Sequence, residues 1–113
     1  MNIATVAMDT VWKDARANIG QTERHVAEVM RLHPKTDIIL FPEISLMGFV
    51  LDASNADVAE PMDGYCVTEV QKIAQKYDVA LICGMIEKNP GGGKPYNTSF
   101  VVDKKGQLLA RYC

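Results

Sequence analysis

Long apolar runs are missing from this sequence. The most hydrophobic stretches, such as Ile38-Ile39-Leu40-Phe41, fall far short of the roughly 20 residues that a membrane span requires. No membrane partner is therefore expected. Excess positive charge is missing too: 12 Lys and Arg stand against 14 Asp and Glu, for a formal net charge of −2. With no basic excess to neutralise phosphates, nucleic acid is not an expected partner. Cysteines are few. Three of them, an odd number without paired spacing, argue against a disulfide scaffold and for reduced thiols in a cytoplasmic protein. The opening Met1-Asn2-Ile3-Ala4-Thr5 carries no basic segment of a secretory signal. His25 and His33 have no ligand spacing to any Cys, Asp or Glu cluster, so no metal and no cofactor is expected.

What is present is an ordinary globular balance. Of 113 residues, 48% are hydrophobic and 23% charged, too apolar and too evenly charged for disorder. The length allows one domain or part of one.

Hydrophobic periodicity sets the order of elements. Ile3 to Met8 is apolar on both faces and predicts a buried strand. Asp14 is placed to cap a helix running to about Arg31, with Ala15, Ile19, Thr22, Val26, Val29 and Met30 on one stripe. His33-Pro34 ends it. Asp37 to Phe41 predicts a second strand covered on both faces, stopped by Pro42. Residues 42 to about 62 read as a long loop, a common place for function. A second helix opens at Asp63-Gly64 and runs to about Tyr77, with Cys66, Val70, Ile73, Ala74 and Tyr77 inward. Val79 to Met85 predicts a third buried strand. Asn97–Val102 and Gln107–Tyr112 flank the turn Asp103-Lys-Lys-Gly106 as a hairpin. This β-α-β-α-β-hairpin order implies a layered α/β architecture. With only two helices, one face of the sheet has no obvious cover, so the chain looks like a piece of a larger domain.

Several candidate sites can be weighed on residue chemistry alone. Phe41-Pro42-Glu43 delivers a carboxylate at the C-terminal end of a strand, where ligands bind in α/β sheets. Partly desolvated, it would suit a general base. A Glu that merely caps a loop is the commoner outcome for so short a pattern. Gly91-Gly92-Gly93-Lys94 hints at a phosphate loop, but that pattern requires Gly and Ser or Thr where Lys88 and Pro95 stand. A flexible loop explains it better. Cys66 and Cys83 sit in apolar surroundings and read as core residues.

Taken in order, these segments resemble the nitrilase, or carbon–nitrogen hydrolase, superfamily. The resemblance is carried by Asn2-Ile-Ala-Thr-Val-Ala-Met8, Asn18 and Asp37-Ile-Ile-Leu-Phe-Pro-Glu43 with Gly48-Phe49. It continues through Ala59-Glu60-Pro61-Met62-Asp63-Gly64, Tyr96-Asn97-Thr98-Ser99 and Gly106-Gln107-Leu108-Leu109-Ala110-Arg111-Tyr112. No single piece is specific, but the ordered set is, and it favours a catalytic role for Glu43.

The resemblance implies an α/β fold that is a portion of a four-layer α-β-β-α sandwich, with residues 1–113 as the N-terminal part of a single domain. It implies hydrolysis of a small-molecule amide or nitrile through a Glu-Lys-Cys triad. In that triad Glu is the general base, Cys forms a thioester and Lys stabilises the tetrahedral intermediate. Only Glu43 can be carried over. The family's Lys is expected just beyond Tyr112 and its nucleophilic Cys well beyond that, so the chain alone is expected to be inactive. Cys113, at a strand end without a following helix, is expected to be an ordinary thiol. Phe49 is the candidate substrate-binding residue by analogy with an aromatic position near the family's Glu, with loop packing as an equal alternative. The family usually forms dimers or larger assemblies, which implies a homo-oligomer. The alternative is a non-catalytic α/β interaction or binding module. It predicts polar residues on the uncovered sheet face, whereas the hydrolase reading predicts apolar ones.

Overall fold

A computed structural model describes all residues, 1–113. Its elements are β1 (Ile3–Thr5), α1 (Ala15–Leu32), β2 (Ile38–Leu40), a short 3-10 turn (Ala53–Asp57), α2 (Tyr65–Tyr77), β3 (Ala80–Glu87), β4 (Tyr96–Val102) and β5 (Leu108–Tyr112). The five strands form one sheet in the order β1-β2-β3-β4-β5. β1, β2 and β3 are parallel, joined through the two helices. β3, β4 and β5 are antiparallel.

The local chemistry explains the boundaries. Asp14 caps α1, its Oδ1 accepting from the Ala17 amide at 3.0 Å. At the other end the His33 amide donates to Val29 O at 2.7 Å before Pro34 stops the chain. α2 ends on Asp78 in the left-handed conformation, φ 54°, which a short polar residue tolerates. In the hairpin, Asp103 Oδ1 accepts from the amides of Lys105 and Gln107, and Gly106 takes φ 83°.

Both β-α-β crossovers step the same way along the sheet, so the usual handedness puts both helices on one face. There they meet: Glu23 of α1 accepts from Lys76 Nζ at 2.7 Å and Tyr77 Oη at 3.0 Å of α2. The core lies between helices and sheet. Ile19 and Val26 of α1 and Val70, Ile73 and Ala74 of α2 pack with Ile39, Leu81, Cys83, Phe100 and Val102.

The other face is bare except at the end of β3, where Gly84 and Ile86 are buried. Strand register aligns Thr5, Leu40, Ile82, Val101 and Ala110 in one row across all five strands, with Ile3, Ile38 and Ala80 in the row beside it. None of these eight residues is buried. The described residues thus form two layers, helices on one five-stranded sheet.

Two strand expectations need correction. The N-terminal strand is not buried and does not run from 3 to 8. β1 is an edge strand, Ile3 is 60% exposed, and ladder pairing ends at Thr5. Likewise β2 is covered on one face only, because Ile39 meets the helices while Leu40 is 40% exposed. Apolar residues on both faces announce burial on both, but this chain supplies only one covering layer.

Candidate active site

The long loop expected after β2 is present, and its first part is packed into the core. The parallel ladder continues one step past β2, with the Phe41 amide donating to Ile82 O at 2.9 Å. Pro42 cannot extend it. The chain then turns over β3 and returns through Ile44, Leu46, Met47 and Val50, each no more than 1% exposed. Its backbone is tied down by Leu46 N to Gly84 O at 3.2 Å and Gly48 N to Ile44 O at 3.0 Å.

Asn18, fully buried in α1, anchors the turn from behind. Its amide donates to Leu46 O at 3.2 Å and to Val11 O at 2.8 Å, and its Oδ1 accepts from the Val11 amide at 2.7 Å. Those bonds hold residues 11–13 against the turn, where Lys13 N donates to Met47 O at 3.0 Å. Gly48 is required at this contact: at φ 83°, a Cβ there would lie 2.5 Å from Val11 O.

Glu43 stands at the apex. Its side chain is exposed on the bare face of the sheet, and Oε1 accepts from Asn97 Nδ2 of β4 at 2.6 Å. An open cleft of about 340 Å³ surrounds it, lined by Leu40, Gly84, Asn97, Ser99 and Tyr112 among others. The partial burial expected of this carboxylate is therefore absent: the bare face that carries Glu43 has no layer over it.

The residue after Glu43 departs from ordinary backbone geometry. Ile44 has φ 51°, a conformation in which a β-branched side chain is a true outlier. Such strain costs on the order of 1–3 kcal/mol and persists where surrounding structure enforces it. Here the enforcement is the burial of Ile44 and the hydrogen bonds on either side. Phe49, the other candidate, also has positive φ, 59°, and is 41% exposed. It is not among the residues lining the cleft around Glu43, so the two candidates share one loop but not one cavity.

Sequence reading missed two contributors. Asn97 appeared as part of a strand and of the Tyr96-Asn97-Thr98-Ser99 segment that carries the resemblance, with no role of its own, and nothing in its neighbours marks it as Glu43's partner. Gly84 did carry a signal, since a lone glycine inside an apolar strand often marks a close backbone approach.

The three thiols separate cleanly. Burial, then the adjacent Glu60 carboxylate, pushes the Cys66 thiol well up. Glu60 is occupied in capping α2, Oε1 accepting from the Cys66 amide at 2.8 Å. Burial alone pushes Cys83 up to about 12. Neither is available as a thiolate nucleophile. Cys113 is exposed, its Sγ 3.7 Å from Arg111 Nη2. Arg111 itself spans from β5 to the buried Glu87 of β3, with Nε and Nη2 each 3.0 Å from carboxylate oxygens, while Thr98 Oγ1 donates to the same carboxylate at 2.8 Å. No group of three His, Cys, Asp or Glu side chains converges as metal ligands would. No helix is long and apolar enough to cross a membrane.

Known proteins share the sequence pattern and the fold of this chain. The carbon–nitrogen hydrolase family model matches residues 2–113. A probable nitrilase of Schizosaccharomyces pombe is 31% identical over 113 residues, covering 98% of this chain and 42% of the relative. A formamidase of Bacillus cereus is 27% identical over 106 residues, covering 88% of this chain and 31% of the relative. Among solved structures, an amidase from Nesterenkonia sp. superposes with a TM-score of 0.84 at 22% identity, over 99% of this chain and 41% of that one. The chain thus spans less than half the length of each of these proteins.

Proposed function

The chain belongs to the carbon–nitrogen hydrolase family, and on that premise we propose that it supplies the general base of an enzyme hydrolysing small amides or nitriles. Glu43 is that base. One observation carries the reading: a carboxylate at the C-terminal end of a parallel strand, held at one oxygen and lining an open cleft.

The roles follow from the chemistry. Glu43 takes the thiol proton of a cysteine outside residues 1–113, and the thiolate attacks the amide or nitrile carbon. A lysine, also outside these residues, offsets the charge of the tetrahedral intermediate. Glu43 returns its proton to the leaving nitrogen, ammonia departs and a thioester remains; a nitrile first gives a thioimidate, which takes up one water before ammonia leaves. Glu43 then draws a proton from the water that attacks the thioester and passes it to the departing cysteine sulfur, releasing the carboxylic acid. Phe49, exposed on the same loop but outside the cleft as lined by residues 1–113, meets the substrate where the rest of the enzyme extends that cleft. Residues 1–113 are the N-terminal part of one domain, they do not turn over alone, and the whole enzyme works as a homo-oligomer.

The bare sheet face favours this reading over a stand-alone binding module. Ile3, Ile38, Leu40, Ile82, Val101 and Ala110 are the apolar residues a covering layer requires. The test is ammonia release from small aliphatic amides, a nitrile and an unmodified peptide, using the complete enzyme that carries this chain. Release from amides or nitriles and none from the peptide is expected. Silence on every amide and nitrile would overturn the assignment.

A further inference from the structure

We propose that Asn97 is a positioning residue for Glu43: its side-chain amide holds Oε1 and thereby directs Oε2 into the cleft as the oxygen that receives the proton. The inference rests on Glu43 being the base and goes beyond it by naming what orients that base.

The geometry is specific. Asn97 lies on β4, paired with Ile86 of β3, two positions along from the Gly84–Ser99 pair over which the Glu43 turn passes. Its register puts the side chain on the bare face, the face on which Glu43 emerges. The Nδ2–Oε1 distance is 2.6 Å, and no other side chain or backbone amide donates to Glu43. Without that bond, an exposed glutamate at the tip of a turn has three freely rotating side-chain bonds and no fixed direction.

An amide suits the task chemically. It has no proton to exchange near neutral pH, so it cannot compete for the proton that Glu43 must carry. When the thiol proton moves to Oε2, Oε1 becomes the carbonyl-like oxygen and still accepts from Nδ2. The same bond therefore serves both protonation states, and the carboxyl group does not rotate between steps. A base already aligned for transfer saves the reorganisation that would otherwise accompany each step.

The sequence offers no hint of this, because Asn97 and Glu43 are 54 positions apart. They meet only because β3 places its glycine under the turn and β4 lies alongside.

The experiment is a double-mutant cycle in the complete enzyme, reading kcat and KM separately. Asn97→Ala should lower kcat on the order of ten- to a hundred-fold while leaving KM within about two-fold, because the lost contact is to the base rather than to substrate. Asn97→Asp, nearly isosteric but presenting an acceptor to an acceptor, should be no better than Asn97→Ala. In a Glu43→Gln background, Asn97→Ala should cost nothing further, since the two residues act as a unit. An equal kcat loss in both backgrounds, or a loss confined to KM, would overturn the positioning role while leaving Glu43 as the base. Full turnover in Glu43→Gln alone would instead overturn the base assignment.

Discussion

Gly84 lies directly beneath the peptide that joins Glu43 to Ile44. A Cβ on Gly84 would come within 2.5 Å of the Ile44 nitrogen and 3.2 Å of the Glu43 carbonyl carbon. The backbone of β3 is thus the floor on which the strained turn rests, and the absence of a side chain at one position sets the height of the candidate base.

Gly84→Ala is the direct consequence. The added methyl meets backbone rather than a flexible side-chain end, so the turn must lift. Overpacking of this kind typically costs about 1–3 kcal/mol. Urea unfolding should show a lower midpoint and an unfolding free energy reduced by that amount, and the complete enzyme should lose kcat as Glu43 shifts relative to Asn97. An unchanged midpoint would show that the turn does not need the glycine.

The buried thiols make a prediction at alkaline pH. Burial disfavours the Cys83 thiolate and pushes the folded-state thiol up to about 12 from its ordinary value of 9.0. The folded state therefore holds its proton more tightly. Its contribution is fully present below the unfolded value and is lost as pH rises from 9 towards 12, at up to about 1.4 kcal/mol per pH unit. Cys66 acts in the same direction. Stability by urea unfolding should fall more steeply between about pH 8 and about pH 10 in the parent chain than in Cys83→Ala. Identical slopes would contradict the assignment. In the native state at neutral pH, a thiol reagent should label Cys113 and neither of the others.

The bare sheet face predicts the behaviour of residues 1–113 on their own. Leu40 at 40% exposure and Tyr112 at 81% flank the cleft, and Ile3 at 60% extends the apolar surface to the edge strand. A surface of that kind drives association or binds apolar dyes. Light scattering should show mass rising with concentration, together with enhanced fluorescence of an apolar dye. A monodisperse monomer that leaves the dye dark would contradict it.

The sequence made much of the architecture readable because local signals and tertiary packing agree. Asp14, Pro34, Gly106 and the stripes of α1 and α2 each serve one local purpose, and each is found serving it. Residues 42–62 are the loop that was expected, but the packing of their first part was not legible, for the opposite reason. Their structure is made by distant partners: Asn18 on α1, Gly84 on β3 and, for Glu60, the amide end of α2. Mixed polarity along such a stretch looks like a loop, although Ile44, Leu46 and Met47 are as buried as any core residue. Glu43 was legible as a carboxylate at a strand end. Its exposure and its bond to Asn97 were not, because both depend on which face of the sheet the turn crosses.

Glu43→Gln in the complete enzyme tests the central claim most directly. Glutamine keeps the shape and can still accept from Asn97 Nδ2 through its own carbonyl oxygen, but it cannot accept a thiol proton. Because Glu43 is exposed and outside the core, the unfolding midpoint should stay where it is. Turnover of an amide or nitrile substrate should fall by about 10²- to 10⁴-fold, the usual contribution of a general base. Turnover within a few-fold of the parent enzyme, in a protein with the same midpoint, would show that Glu43 is not the base.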